Sequence, residues 1–126
     1  LNRFESYLVS CTDELIALVH RVNHPNCQLM FDSFHANIEE TNLGDAIRKM
    51  GNRLVHVQLS ENHRGTLGAG HIDFKNILTA LEDIKYKGMI SIEAFSSKLS
   101  AANIWRNMFD DEMQLVNDSI QYLKSI

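Results

Sequence analysis

Three short apolar runs, residues 28–34, 54–59 and 89–94, are separated by stretches of helical periodicity, and this spacing restricts the chain more than any other feature. Strands alternating with helical stretches read as βαβ crossovers, which join parallel strands. The alternation within the runs is equally restrictive. Leu29 and Phe31, then Val55, Val57 and Leu59, then Ile90 and Ile92 share one parity and are all apolar. The opposite parity holds Gln28, Met30 and Asp32, then Leu54, His56 and Gln58, then Met89, Ser91 and Glu93. Successive strand residues point to opposite faces. One sheet face therefore packs on helices, and the other carries polar groups that grow denser toward the strand C-termini.

A doubly wound sheet is covered on both faces, so its strands read almost wholly apolar. A barrel interior with a site at its C-terminal rim fits this pattern better. The plainer alternative is an ordinary α/β sheet whose few inward polar groups are hydrogen-bonded. The expectation is an α/β chain forming, over residues 1–126, part of a (β/α)8 barrel with helices outside. Three or four strands cannot close a barrel, so the remaining strands must come from elsewhere. The length, 126 residues, is about half that of such a barrel. Leu1 has no initiator methionine before it, which suggests a fragment or excised domain.

The helical stretches are legible from spacing. Phe4, Leu8, Cys11, Leu15, Leu18 or Val19, and Val22 step by three and four, one face of a helix that His24-Pro25-Asn26 ends. Asn42-Leu43-Gly44-Asp45 leads into a short helix over 45–50, closed by Gly51. Asp73 is an N-cap for a helix through Ile77, Leu81 and Ile84 to Gly88. Met113, Val116, Ile120 and Leu123 stripe a last helix, as core or as an interface, and Trp105 reads as a packing anchor in a helix-prone segment. Cys11 and Cys27 lack metal or redox spacing and read as reduced, buried thiols of a cytoplasmic protein.

Composition removes several functions. Net charge is −4 with 12 basic residues dispersed, which is no footprint for nucleic acid. No apolar run reaches the ~18–20 residues of a membrane span, and the start does not read as a signal peptide. The loop over 60–71 is rich in glycine but lacks the order and lysine of a phosphate-binding loop. Ser33 beside His35 has no nucleophile-elbow context. His20, His24, His63 and His71 fall on helix ends or loops and read as surface or capping residues.

What remains is a cluster. Asp32, Glu93 and the His56/Gln58 pair share one parity at or near the C-terminal ends of consecutive strands. Parallel neighbours lie ~4.8 Å apart, so these side chains converge. Two carboxylates with an amide or imidazole between them make a hard site suited to Mn²⁺, Mg²⁺ or Co²⁺. The competing reading is a salt bridge from these carboxylates to Arg64 or to another basic residue.

Five segments in order carry a family resemblance: Leu1-Asn2-Arg3-Phe4-Glu5, Phe31-Asp32-Ser33-Phe34-His35, Val57-Gln58-Leu59-Ser60-Glu61-Asn62-His63-Arg64-Gly65, Ile92-Glu93-Ala94-Phe95 and Ile104-Trp105-Arg106. Together they resemble the D-tagatose/D-psicose 3-epimerase family, within the xylose-isomerase-like TIM barrels, over the later strands of the barrel. The resemblance implies Asp32 as a metal ligand, and Glu93 as both ligand and one of two catalytic bases. It implies Glu5, His35 and Arg64 as hydrogen-bonding partners of a ketose. The implied reaction inverts C3 of a free ketohexose. A divalent metal, Mn²⁺ foremost, polarises O2 and O3, and a cis-enediolate is formed and reprotonated on its other face.

Two departures qualify it. The family's second glutamate falls a few residues before Leu1, and its histidine ligand aligns with Gln58, whose carbonyl is a weaker donor. His56 stands one layer deeper, about 6.6–6.8 Å along the strand. The expectation is a ketose 3-epimerase fragment that binds Mn²⁺ poorly and is inactive alone, and that dimerises or pairs with an N-terminal half-barrel. Two other readings stay open. One is a hydroxypyruvate isomerase or inosose dehydratase of the same group, against which Glu5, His35 and Arg64 speak. The other is a sugar-binding remnant that has lost its metal.

Overall fold

A computed structural model describes residues 7–126; Phe4 and Glu5 lie outside that range. Helix α1 (Thr12–Val22) is followed by β1 (Leu29–Asp32), α2 (Ser33–Glu39), α3 (Leu43–Met50), β2 (Leu54–Leu59), α4 (Phe74–Asp83), β3 (Met89–Ile92) and α5 (Glu112–Ser125). The three strands are parallel in the order β1-β2-β3. Each crossover moves one position in the same direction, the winding that continues round a barrel and that one half of a doubly wound sheet shares. Among the described residues no helix is long and apolar enough to cross a membrane.

The helices cover one face. Leu29, Phe31, Val57 and Leu59 are buried there against Ala46 and Ile47 of α3 and Phe74, Ile77 and Ala80 of α4. The other face carries Met30 opposite His56 and Met89, then Asp32 opposite Gln58 and Ser91. His56 and Gln58 are half-buried, and Met30 and Met89 exposed. That is the open face on which a barrel's remaining strands would close.

Several expectations need correction. Val55 does not join the packed face: it is 51% exposed, while Leu54, of the polar parity, is 4% exposed. The pairing jumps from Leu29↔Leu54 to Met30↔His56, so Val55 is the extra residue of a bulge and parity is lost there. The first helix starts at Thr12, after an exposed Leu8, and its N-cap Cys11 is half-buried and free, as is Cys27. Strand β1 ends two residues early because Asp32 caps α2, a helix the sequence reading lacks, by accepting from Phe34 N–H at 2.8 Å.

Helix α4 begins as expected, with Asp73 accepting from Asn76 N–H at 2.9 Å, but ends at Asp83, short of Gly88. In α5 the inward residues are Leu115 and Ser119, with Tyr122 and Leu123, whereas Met113, Val116 and Ile120 are exposed. Ser119 faces inward because its hydroxyl accepts the Leu67 N–H at 3.1 Å. Hydrophobic periodicity alone places such a residue outside. Among the described residues Trp105 is 74% exposed and so is not packed as an anchor, and the segment before it forms a 3-10 turn at Ser100–Ala102 in place of a helix.

Candidate active site

The site is assembled at the C-terminal strand ends, where backbone pairing sets each position. Asp32 pairs with Gln58, and Gln58 with Ser91. Glu93 lies one residue past β3, and its N–H donates to Leu59 C=O at 2.8 Å, which extends the ladder and keeps Glu93 on the inner face. Gln58 Nε2 donates to Glu93 Oε1 at 3.3 Å. Asp32, Gln58 and Glu93 thus converge as the alternation requires.

Arg64 joins them from the loop after β2. It is buried, and its NH1 donates to Glu93 Oε2 and, at 3.0 Å, to Ser60 Oγ. The same nitrogen is 3.8 Å from Asp32 Oδ2. Its NH2 is 3.3 Å from His35 Nε2, and that imidazole nitrogen is 3.7 Å from Asp32 Oδ2. The guanidinium carbon lies 3.7 Å from the ring centroid of Phe34 and 4.7 Å from that of Phe95, so two aromatic faces flank the cation. The salt-bridge reading of the sequence is therefore realised by Arg64 in this arrangement, with both carboxylates within its reach.

Charge is still not balanced, since one guanidinium faces two carboxylates. Burial pushes the Glu93 carboxyl above its ordinary range, Arg64 pulls it down, and the neighbouring Asp32 carboxylate adds to the upward push. A hard cation would offset that excess of negative charge. Among the described residues no three His, Cys, Asp or Glu side chains cluster for a metal. The donors at hand are two carboxylates and the Gln58 amide oxygen, all oxygen, which fits Mn²⁺, Mg²⁺ or Co²⁺ and not a thiolate-preferring metal.

The loop that delivers Arg64 is built on a carboxylate. Glu61 is fully buried and accepts backbone N–H groups from Asn62 at 3.0 Å, Gly68 at 3.0 Å and Ile72 at 3.2 Å. Gly68 turns the chain at φ +83°, a conformation open to glycine at no steric cost. Arg64 itself has φ +63°; its N–H donates to Glu61 C=O at 2.9 Å and its C=O accepts from Phe95 N–H at 3.2 Å. That pair of bonds fixes the backbone between the loop and the exit of β3.

His35, Arg64, Asp32, Gln58 and Glu93 are brought together, and Glu5 lies outside the described residues. His56 is one layer deeper, with Nε2 3.3 Å from Ser91 Oγ. Ser33 is not poised as a nucleophile, because its hydroxyl is engaged with the backbone of Ser60. His63 and His24 each accept a nearby backbone N–H, and His71 meets Asn37. The sequence reading missed Glu61, Phe34 and Phe95. A signal for the aromatic pair was present: Asp32 and Glu93 are each followed two residues later by phenylalanine.

Fold and site together define a segment of a parallel β/α barrel with an acidic, oxygen-donor cluster at its C-terminal rim. The chain belongs to the xylose isomerase-like TIM barrel family, whose model matches residues 1–126. It is 35% identical to the L-ribulose 3-epimerase of Methylomonas sp. (strain DH-1), over 98% of this chain and 46% of that protein. It is 40% identical to the D-psicose 3-epimerase of Enterocloster bolteae, over 88% of this chain and 38% of that protein. The crystal structure of D-allulose 3-epimerase from Methylomonas sp. in complex with D-allulose superposes with a TM-score of 0.90 at 37% identity, covering 99% of this chain and 46% of that one. The chain spans less than half the length of the curated relatives it matches, which corresponds to about half of a barrel.

Proposed function

We propose that this chain supplies the later strands of a divalent-metal-dependent ketose 3-epimerase, and with them one of the two catalytic carboxylates. The observation that carries this reading is the convergence of Asp32, Gln58 and Glu93 from three adjacent parallel strands beside Arg64 and His35. The ketose 3-epimerase relatives support it.

In this reading Asp32, Glu93 and the Gln58 amide oxygen hold the cation, Mn²⁺ foremost. When bound, the cation supplies Lewis-acid polarisation of the sugar's oxygens. The chain's own residues do the rest. Glu93 exchanges a proton with C3, and burial suits it to that task by raising its affinity for a proton. His35 and Arg64 donate hydrogen bonds to sugar oxygens and fix the ring-opened ketose against Glu93, with Glu5 as a further partner. The carboxylate opposing Glu93 comes from outside these 126 residues, because inversion needs one base on each face.

The test is proton exchange in D₂O on the full-length protein with Mn²⁺ and D-allulose or D-fructose, followed by NMR. Deuterium is expected at C3, with exchange reduced by about 10²–10⁴-fold in Glu93→Gln. No exchange in the wild type across several ketoses, with the sugar shown to bind, would favour the sugar-binding remnant. The pairing of Arg64 with Glu93 is the observation on that side.

A further inference from the structure

We propose that Arg64 competes with a divalent ion for the Glu93 carboxylate, so that the ion binds more tightly where Arg64 gives Glu93 up. This rests on the metal-site reading above.

One nitrogen of Arg64 does the work a shared cation would do: NH1 is hydrogen-bonded to Glu93 Oε2 and lies 3.8 Å from Asp32 Oδ2. A cation held by Asp32 and Glu93 would draw on the same negative charge that NH1 now neutralises. Arginine cannot yield it by losing a proton, because its guanidinium stays charged throughout the accessible pH range. The competition is therefore between two cations for one carboxylate.

The surroundings restrict how Arg64 gives way. Phe34 and Phe95 both lie against the guanidinium, its carbon 3.7 and 4.7 Å from their ring centroids, and these contacts favour a small displacement of the cation over its departure. Ser60 Oγ at 3.0 Å and His35 Nε2 at 3.3 Å from its two terminal nitrogens are further contacts that keep it in the site after Glu93 has gone. Its released NH1 then has a free donor for a sugar oxygen. Cation binding thus primes the sugar-binding arginine, and the order of binding is cation first, sugar second. Linkage makes the effect reciprocal: the factor by which Arg64 weakens the metal is the factor by which the metal loosens Arg64 from Glu93.

The experiment is Mn²⁺ titration calorimetry on the full-length protein and on its Arg64→Gln and Arg64→Lys variants, with folding checked by circular dichroism. Arg64→Gln removes the competing charge and is expected to tighten Mn²⁺ by about tenfold or more, the scale of a close charge pair. Arg64→Lys keeps the charge without the fork and should fall between. Mn²⁺ affinity equal to or weaker than wild type in folded Arg64→Gln overturns the inference. Should that variant fail to fold, the wild type decides. Its Arg64 guanidinium ¹⁵N resonances are expected to shift and their rotation to quicken on saturation with diamagnetic Mg²⁺, and unchanged resonances at saturation overturn the inference. Absence of divalent-ion binding in all three proteins sinks the metal site itself, and the inference with it, which separates the two failures.

Discussion

Ser33 and Ser60 close on each other across the ends of β1 and β2: the Ser33 hydroxyl donates to the Ser60 carbonyl and accepts from the Ser60 N–H, each at 2.7 Å. Both residues are fully buried, so water cannot replace either bond. Ser60 in turn accepts from Arg64 through its own side chain. The rim of the site is thus stitched from the first strand through the second to the arginine.

Ser33→Ala leaves the Ser60 N–H and C=O buried without that partner. The expected cost is about 1–3 kcal/mol, read as a lowered midpoint of urea unfolding. Because Ser60 also seats Arg64, the amide of Arg64 should exchange faster with solvent in the variant. An unfolding midpoint unchanged from wild type would show that another group takes over the hydroxyl's role.

Glu61 is the second structural support. Its two oxygens accept three backbone N–H groups in a buried setting. Glu61→Gln turns one oxygen into a donor that faces N–H groups. A loss of about 2–3 kcal/mol is expected, together with faster hydrogen exchange at Gly68 and Ile72. Retained protection at both amides would contradict the role given to Glu61.

A pH dependence follows at the start of α5. Glu112 accepts from Lys98 Nζ at 2.9 Å and from Ser96 Oγ at 2.8 Å, and chiefly the Lys98 bond holds its carboxyl down from 4.5 to about 2. A carboxyl depressed in the folded state stabilises that state above its unfolded value. The contribution is lost as pH falls from about 4.5 toward 2. Lys98→Met is expected to raise the Glu112 midpoint in an NMR titration and to flatten the acid dependence of stability over that window. A Glu112 midpoint unmoved by the substitution would remove Lys98 as the cause.

Residue patterning made the strand framework legible, and it did so for a physical reason. Side chains alternate strictly across a pleated strand, so Asp32, Gln58 and Glu93 could be assigned to one face before any contact was known. The same rule failed at Val55, where a bulge changes the register. Helical spacing failed at Ser119 of α5, where a buried hydroxyl serves the Leu67 amide. Glu61 was not legible because a carboxylate in a glycine-rich loop looks the same whether it faces water or gathers backbone donors. That difference depends on chain closure over several residues, which no local spacing encodes. The chemistry of the cluster was legible as a donor set, while its counter-ion was only one of two readings until Arg64 was placed.

Gln58 is where sequence and geometry bear most directly on metal affinity. It stands between Asp32 and Ser91 in register, and its amide nitrogen donates to Glu93 Oε1. An amide in this position spends its donor on a carboxylate and offers the cation only a neutral carbonyl oxygen. An imidazole nitrogen is a more basic donor than a neutral amide oxygen, and histidine is close to glutamine in reach. Gln58→His is therefore expected to tighten Mn²⁺ by about tenfold, or about 1.4 kcal/mol, while Asp32→Asn weakens binding in both backgrounds. Calorimetric titration of the four proteins completes a double-mutant cycle. If Gln58 and Asp32 share one ion their effects will be non-additive, since each ligand's contribution depends on the other's being present. Additive effects would place Gln58 off the ion and leave Asp32 and Glu93 as its only ligands from this chain.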